Sequence, residues 1–462
     1  MRKSTKQLLA GILAATTMMS MVGCGSADSS ASQTEESAVV AENTDAESSE
    51  GAEVEANDTA NTASGEVTEL TFWYSWGGTI QECNETLVKE FNETVGQELG
   101  IHVTAEYQGS YNETNSKLQA AAVANTMPDV AVIGTTSMGI FLENDLLWPL
   151  NEYVESDVDT SDFFQGLLKN TVKDDTWYGV PYLCSTPILY MNTTLLEQAG
   201  LDTSGPKTWD ELAEYCRVIK EETGVYGLST YSYEWFMEAF LLEHGVTMLN
   251  EDETATNFNC EETKEIMQYF KDMIDNGYIH WGASGDESST QVEADYTNQT
   301  CAMWFGSNSS LSSTLAIAEE NGFELNTCYM PAEESYGVPI GGCSLVMFST
   351  VPEEKREAVW EFIKFMTDTE QTAYASEKTG YVPLRASAEQ EENLQALYSE
   401  YPQYQVALNQ LRDYSTGRPL NSSYVECSTV IMGAMDEIML NDGDMDTVLS
   451  DAETKINQLL NQ

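Results

Sequence analysis

Basic side chains are scarce in this sequence: 20 Lys and Arg stand against 76 Asp and Glu, a formal net charge of -56 over 462 residues. No basic stripe occurs anywhere along the chain. Nucleic acid and anionic lipid headgroups are therefore poor partners, because phosphate binding takes clustered Lys and Arg. The acidity favours solubility and says nothing of fold. Histidine is scarcer still. His102, His244 and His280 show no HExxH spacing, and no GxSxG elbow offers a serine nucleophile. The apolar run Leu8 to Met19 is too short to cross a bilayer.

Cysteine is present but unpatterned. After Cys24 come Cys83, Cys184, Cys216, Cys260, Cys301, Cys328, Cys343 and Cys427, with no CxxC and no His spaced to complete a zinc site. Disulfides are open to them, yet most lie in apolar patterns where a free thiol behaves as a small hydrophobe, and unpaired thiols are the expectation. Carboxylates are so abundant that a glycosidase pair cannot be inferred from presence alone. Asp442, Asp444, Asp446 and Glu453 echo a calcium loop, but Thr447 stands where that loop needs Gly. A helix-connecting loop capped by Asp446 accounts for the same residues, and no metal or cofactor is expected.

Arg2, Lys3 and Lys6 precede the apolar run, and Met21-Val22-Gly23-Cys24 follows it, so residues 1–24 read as a targeting segment. Its ending resembles a bacterial lipobox, which implies that Cys24 carries lipid. Residues 25–66 hold eleven acids, no bases and no aromatics. Such a segment buries too little apolar area to offset ordering entropy and reads as a disordered tether. What remains is too long for one core, so two lobes are expected.

Folding begins at LTFWYSWGG, a short β-rich run from Leu70, followed by a helix with Ile80, Leu87 and Phe91 on one face. Ile101, Val103, Ala105 and Tyr107 alternate as a strand. An Ala-rich helix runs to about Ala124, and Val130 to Ile133 is a buried strand. The succession implies a largely parallel sheet. Trp177 to Asn192, WYGVPYLCSTPILYMN, reads as an extended crossing between two α/β halves, with Ser185 and Thr186 as hydroxyls in need of partners. Thr208 and Glu211 form a capping box for a helix with Leu212, Tyr215, Cys216 and Ile219 inward, leaving Trp209 structural. Tyr226 to Thr230 is a strand leading into the aromatic cluster Tyr231 to Phe236. Helices follow near Ile266 to Ile274 and Glu293 to Thr300, then a buried strand from Cys301 to a turn at Ser307. Tyr329 to Phe348 and Lys378 to Leu384 read as second and third crossings, separated by an amphipathic helix, Lys355 to Met366. The remainder is helical.

LTFWYSWGG, MPDVAVIG, STPILYMNTTLLEQAG with PKTWDEL, GGCSLVMF and KTGYVPLRAS occur in that order across residues 70–462. In this ordered set the chain resembles the family 1 extracellular solute-binding proteins of ABC sugar importers, and within them the glycerophosphodiester-binding branch. The resemblance implies an α/β fold of periplasmic-binding-protein type II, two α/β lobes joined by a multi-crossing hinge with the ligand cleft between them. Lobe 1 is expected at 67–180 plus 343–385, and lobe 2 at 181–342 plus 386–462. It also implies delivery of a small ligand to transmembrane permease subunits, by a monomer lipid-anchored on the outer face of the bacterial cell membrane and without enzymatic activity.

Motif by motif, the resemblance carries ligand contact to Tyr111, Ser185, Ser307 or its neighbours, Gly341-Gly342 and Tyr381. Thr135 stands where the branch carries Glu, and near Met432 there is no counterpart of its phosphate-contacting Arg. A neutral oligosaccharide is therefore expected, with glycerol 3-phosphate or a glycerophosphodiester as the alternative. A neutral glycan needs flat apolar faces and forked hydrogen-bond partners. Trp76, Trp235, Trp304 and Tyr381 are candidate faces; Thr135, Ser185, Ser307 and the Gly342 amide are candidate partners, with Tyr424 in addition. Each aromatic has a core reading as well, and Gly342 a hinge reading. A surface glycoside hydrolase and a sensor partner are further readings of the same features.

Overall fold

The computed structural model describes residues 67–285, 287–333 and 335–462. The targeting segment, Cys24 and the tether lie outside the described residues. In β1 (Thr68–Tyr74) alternate side chains Leu70, Phe72 and Tyr74 are buried. β1 pairs in parallel with β2 (Ile101–Tyr107) and β3 (Val130–Gly134). Parallel neighbours need crossover connections. The helices Thr79–Glu93 and Tyr111–Ala124 provide them, the second started by a reciprocal capping box between Ser110 and Glu113. A hairpin of β4 (Val172–Lys173) and β5 (Thr176–Trp177) precedes β6 (Val180–Ser185).

The second sheet is built from β7 (Pro187–Asn192), β8 (Tyr226–Tyr231), β9 (Ile279–Gly282), β10 (Cys301–Ser307) and β11 (Leu325–Cys328), in the order β11-β7-β10-β8-β9. The chain then returns through β12 (Val338–Pro339) to β13 (Gly341–Met347), which lies antiparallel between β3 and β6 and completes a first sheet ordered β2-β1-β3-β13-β6. β14 (Ser415–Thr416) pairs in parallel with β12. The molecule thus has two sheet-containing α/β lobes. The passage from one sheet to the other falls at Thr186 between β6 and β7, beyond residue 181 where the sequence reading starts its second lobe.

The helix Trp209–Thr223 starts at Thr208, whose hydroxyl accepts from the Glu211 amide, and ends on left-handed Gly224. Only half of the expected capping box forms, because Glu211 accepts from the Lys207 amide instead. Trp209 is buried, with Nε1 donating to Glu243 and to the Pro331 carbonyl. The last helix, Met445–Leu460, is capped by Asp444 and not by Asp446 as expected. Only Asp444 has the extended backbone a cap requires, while Asp446 in the first turn pairs with Lys264 and Asp442 with Lys271. Cys83 to Cys427 are all free thiols.

Candidate ligand-binding site at the strand crossings

Three crossings meet at the end of β6. In the first, the Thr186 amide donates to Asn308 Oδ1 at 2.7 Å, and its hydroxyl accepts from Gln410. One of the two awkward hydroxyls in the crossing is therefore satisfied by protein. In the second, Gly341 pairs with Ser185 and Gly342 with Cys184. In the third, the Val382 amide donates to the Cys184 carbonyl, and Asn308 Nδ2 donates to the Gly380 carbonyl. Asn308, 1% exposed, ties the first crossing to the third. Gly342 has φ +95°, and a Cβ there would lie 1.8 Å from the Leu183 carbonyl oxygen, so only glycine fits.

Around this knot the structure gathers most of the candidates. A Cβ on Gly341 would meet the Trp235 ring at 2.4 Å and Ser185 Oγ at 2.7 Å, which shows how closely those two side chains approach the crossing. The Trp235 Nε1 is buried without a hydrogen-bond partner among the described residues. On the first lobe, Tyr111 opens the helix after β2, and its ring packs on Gly134 at the end of β3. Its hydroxyl is likewise buried, with no hydrogen bond of good geometry, and lies beside Cys343 and Tyr381. Burial first, then the neighbouring Cys343 and Tyr381, push its phenol well above the ordinary value. Burial also lifts the Cys343 thiol to about 11. Trp76 stands edge-on to Tyr111 at 5.3 Å, is 39% exposed, and adopts φ 67°. A bulky residue in the left-handed region is strained, and such strain clusters at ligand sites.

A buried charge cluster completes the site. The helix Glu234–Glu243 is apolar apart from its acids, and Glu234 and Glu238 share one face by their spacing of four. Arg418 Nε donates to both Glu238 oxygens at 3.1 and 3.0 Å, and its Nη2 donates to Glu234 at 3.1 Å. The Tyr424 hydroxyl donates to Glu238 at 2.7 Å. Glu234 Oε2 is buried and unpartnered. Burial, opposed by Arg418, raises the Glu234 carboxyl above its ordinary value. Tyr233 joins this cluster to the rest: burial raises its phenol, and Glu234, Arg418, Glu238 and Tyr381 all act on it.

Not every candidate arrives. Trp304 stacks on Tyr190 at 4.6 Å and tilts against Tyr296, a core position of the second lobe, and it does not join the others. The Ser307 hydroxyl bonds to Ser309 and its carbonyl accepts from Tyr190, while the neighbouring Asn308 makes the links to the crossings. Thr135 is buried in the turn after β3, which packs on the helix Tyr424–Leu440. Tyr424 is 0% exposed with its hydroxyl engaged, so it orients Glu238. Arg418, Glu234 and Glu238 were missed by the sequence reading, which sought an Arg near Met432. Two acids four apart in an otherwise apolar helix were the available signal.

Nothing in this arrangement resembles a bond-breaking constellation. Glu234 and Glu238 converge on one guanidinium, whereas a glycosidase pair flanks the scissile bond from two sides. In the cluster of Ser229, His280 and Asp295, both Ser229 Oγ and His280 Nδ1 bond to the same Asp295 oxygen, at 2.8 and 2.7 Å. Ser229 Oγ also lies 3.3 Å from His280 Nδ1, but that nitrogen is engaged by Asp295 at 2.7 Å, so it is not set between serine and carboxylate as a base would be. An open concavity beside Glu85, Lys89 and His102 lies on the outer edge of the first sheet, among exposed charged side chains.

Comparison with known proteins places this geometry. Residues 86–405 match the family model for bacterial extracellular solute-binding proteins. The sn-glycerol-3-phosphate-binding periplasmic protein UgpB of Brucella abortus (strain 2308) is 26% identical over 362 residues, covering 74% of this chain and 81% of that protein. Among solved structures, the GacH receptor of Streptomyces glaucescens, described unliganded and in complex with acarbose, superposes with a TM-score of 0.75 at 20% identity, over 86% of this chain and 100% of its own. UgpB from Mycobacterium tuberculosis in complex with glycerophosphocholine gives a TM-score of 0.74 at 22% identity, over 86% and 99%.

Proposed function

Because this chain belongs to the bacterial extracellular solute-binding protein family, we propose that it captures a small neutral carbohydrate between its lobes and hands it to the permease of an ABC transporter. The observation that carries this reading is that, of the nine buried side-chain polar atoms without a partner among the described residues, Trp235 Nε1, Glu234 Oε2 and Tyr111 Oη, the last beside Cys343 and Tyr381, stand around the crossings. Buried polar groups are nearly always hydrogen-bonded, and orphaned ones cost roughly 1–3 kcal/mol each. Two donors and an acceptor beside aromatic rings are what a polyol satisfies, its hydroxyls bridging them while its C–H faces lie on the rings of Trp76, Trp235 and Tyr381. Ser185 and the Gly342 amide stand at the same crossing. In this reading the bodies of the two sheets close about the three crossings, and a lipid on Cys24 holds the monomer at the outer face of the membrane.

A second reading, a glycerol 3-phosphate or glycerophosphodiester ligand, is favoured by the Brucella relative and by the presence of Arg418. Thermal melts of the full chain against neutral mono- and oligosaccharides, sn-glycerol 3-phosphate and glycerophosphocholine separate the two. Ligand at a hundredfold excess over Kd adds about 2.7 kcal/mol. A shift with phosphate esters and with no glycan removes the sugar assignment. Trp235→Phe keeps the ring packing and loses Nε1; it is expected to weaken glycan binding by about fivefold, the worth of roughly 1 kcal/mol.

A further inference from the structure

Arg418 is a buried cation at the proposed ligand site, and a cation there ordinarily signals an anionic ligand. Its surroundings say otherwise. The guanidinium is forked onto Glu238, reaches Glu234 through Nη2, and both carboxylates belong to side chains only 5% and 9% exposed. Two carboxylates face one guanidinium, whose Nε and Nη2 are spent on them, so the acids outnumber the base and Glu234 Oε2 is left as an acceptor that repels an entering phosphate. The Arg418 backbone is pinned as well: its amide donates to Asn170 Oδ1 and its carbonyl accepts from Asn170 Nδ2. Drawing the guanidinium out to meet an anion would strip Glu234 of its cation and leave Glu238 with only the Tyr424 hydroxyl, a disfavoured state for two buried acids.

We infer that Glu234 and Glu238 make the Arg418 subsite a charge filter, which admits an uncharged hydroxyl-bearing group donating to Glu234 Oε2 and rejects phosphate. Glu238 fixes the guanidinium, and Glu234 is the specificity-determining residue. The inference rests on the reading of this cleft as the ligand site and deepens it by assigning the ligand's charge. Replacing Glu234 with Gln removes one of the two negative charges and replaces an orphan acceptor with an amide that also donates. The same change that weakens a ligand hydroxyl's acceptor therefore creates a donor for a phosphate oxygen.

The test is calorimetric titration of the full chain and of its Glu234→Gln and Glu234→Asn variants with sn-glycerol 3-phosphate and, separately, with maltotriose and a panel of neutral disaccharides. Melting curves of each variant establish folding. The expected result is no detectable phosphate-ester binding by the parent at millimolar concentration, and a gain of about tenfold or more in either folded variant. Parent protein that binds sn-glycerol 3-phosphate as tightly as any glycan overturns the filter, whether or not the variants fold. So does a folded variant with no gain. Failure of every neutral glycan on the parent sinks the carbohydrate reading instead, while the gain of phosphate binding in the variants still decides the filter.

Discussion

Replacing Arg418 with methionine isolates the electrostatics of the buried cluster. Methionine keeps an unbranched apolar stem and removes the guanidinium that lies 3.1 and 3.0 Å from the Glu238 oxygens and 3.1 Å from Glu234. Glu234 and Glu238, 6% and 4% exposed, then lose the cation facing them. Removing one partner of a buried pair costs roughly 3–5 kcal/mol. Because the Tyr424 hydroxyl still donates to Glu238, the lower end of that range is expected, about 3 kcal/mol. The sign of the pH dependence follows from burial. Burial already raises the Glu234 carboxyl above 4.5 and Arg418 opposes it, so losing Arg418 raises it further. Between 4.5 and the raised value the native variant holds protons that the unfolded chain has released, and its stability falls as pH rises through that window. The deficit against the parent is therefore small near pH 4.5 and largest above the raised value. Urea midpoints followed by tryptophan fluorescence, ligand-free, at about pH 5, 6.5 and 8 measure it. A deficit below about 1 kcal/mol, or one equal at all three pH values, refutes the reasoning.

Gly342→Ala forces a Cβ to 1.8 Å from the Leu183 carbonyl at φ +95°; a loss of roughly 3 kcal/mol or more in the denaturation midpoint is expected, and a loss under about 1 kcal/mol contradicts the crossing geometry. Asn308→Ala strips partners from the Thr186 amide and the Gly380 carbonyl, about 1–3 kcal/mol each, and faster hydrogen exchange at Thr186 is the specific readout. Asp444→Ala is expected to cost about 1 kcal/mol as the lost cap of the final helix, and Asp446→Ala less, since its Lys264 partner is at the surface; equal losses would return the cap to Asp446.

Periodicity carried much of the fold. The alternation of Ile101, Val103 and Ala105 gave β2, and the apolar stripe of Val359, Trp360, Phe362, Ile363 and Met366 gave the helix Glu353–Met366. It failed where both faces of an element are covered. β10 is buried from Cys301 to Gly306, so its pattern cannot say which side Trp304 takes; in the structure the ring stacks on Tyr190. Caps failed for a different reason: Asp444 and Asp446 both precede the same apolar run, and only backbone geometry separates them. Asn308 carries no local signal, since its two bonds are to backbone groups 122 and 72 residues away.

The charge cluster shows how a correct residue class can be sought at the wrong place. The family resemblance points to an Arg near Met432, where this chain has none, and that absence favours a neutral ligand. Arg418 is buried beside Tyr424, 180 residues from Glu238. Its presence alone reverses that argument; its partners reverse it again. With two carboxylates against one guanidinium, any anion entering would meet the uncompensated charge of the acid in excess. The proposed neutral ligand therefore rests on the ratio of acids to bases within hydrogen-bond reach, and the substitution that alters this ratio, Glu234→Gln, is the one expected to move ligand preference.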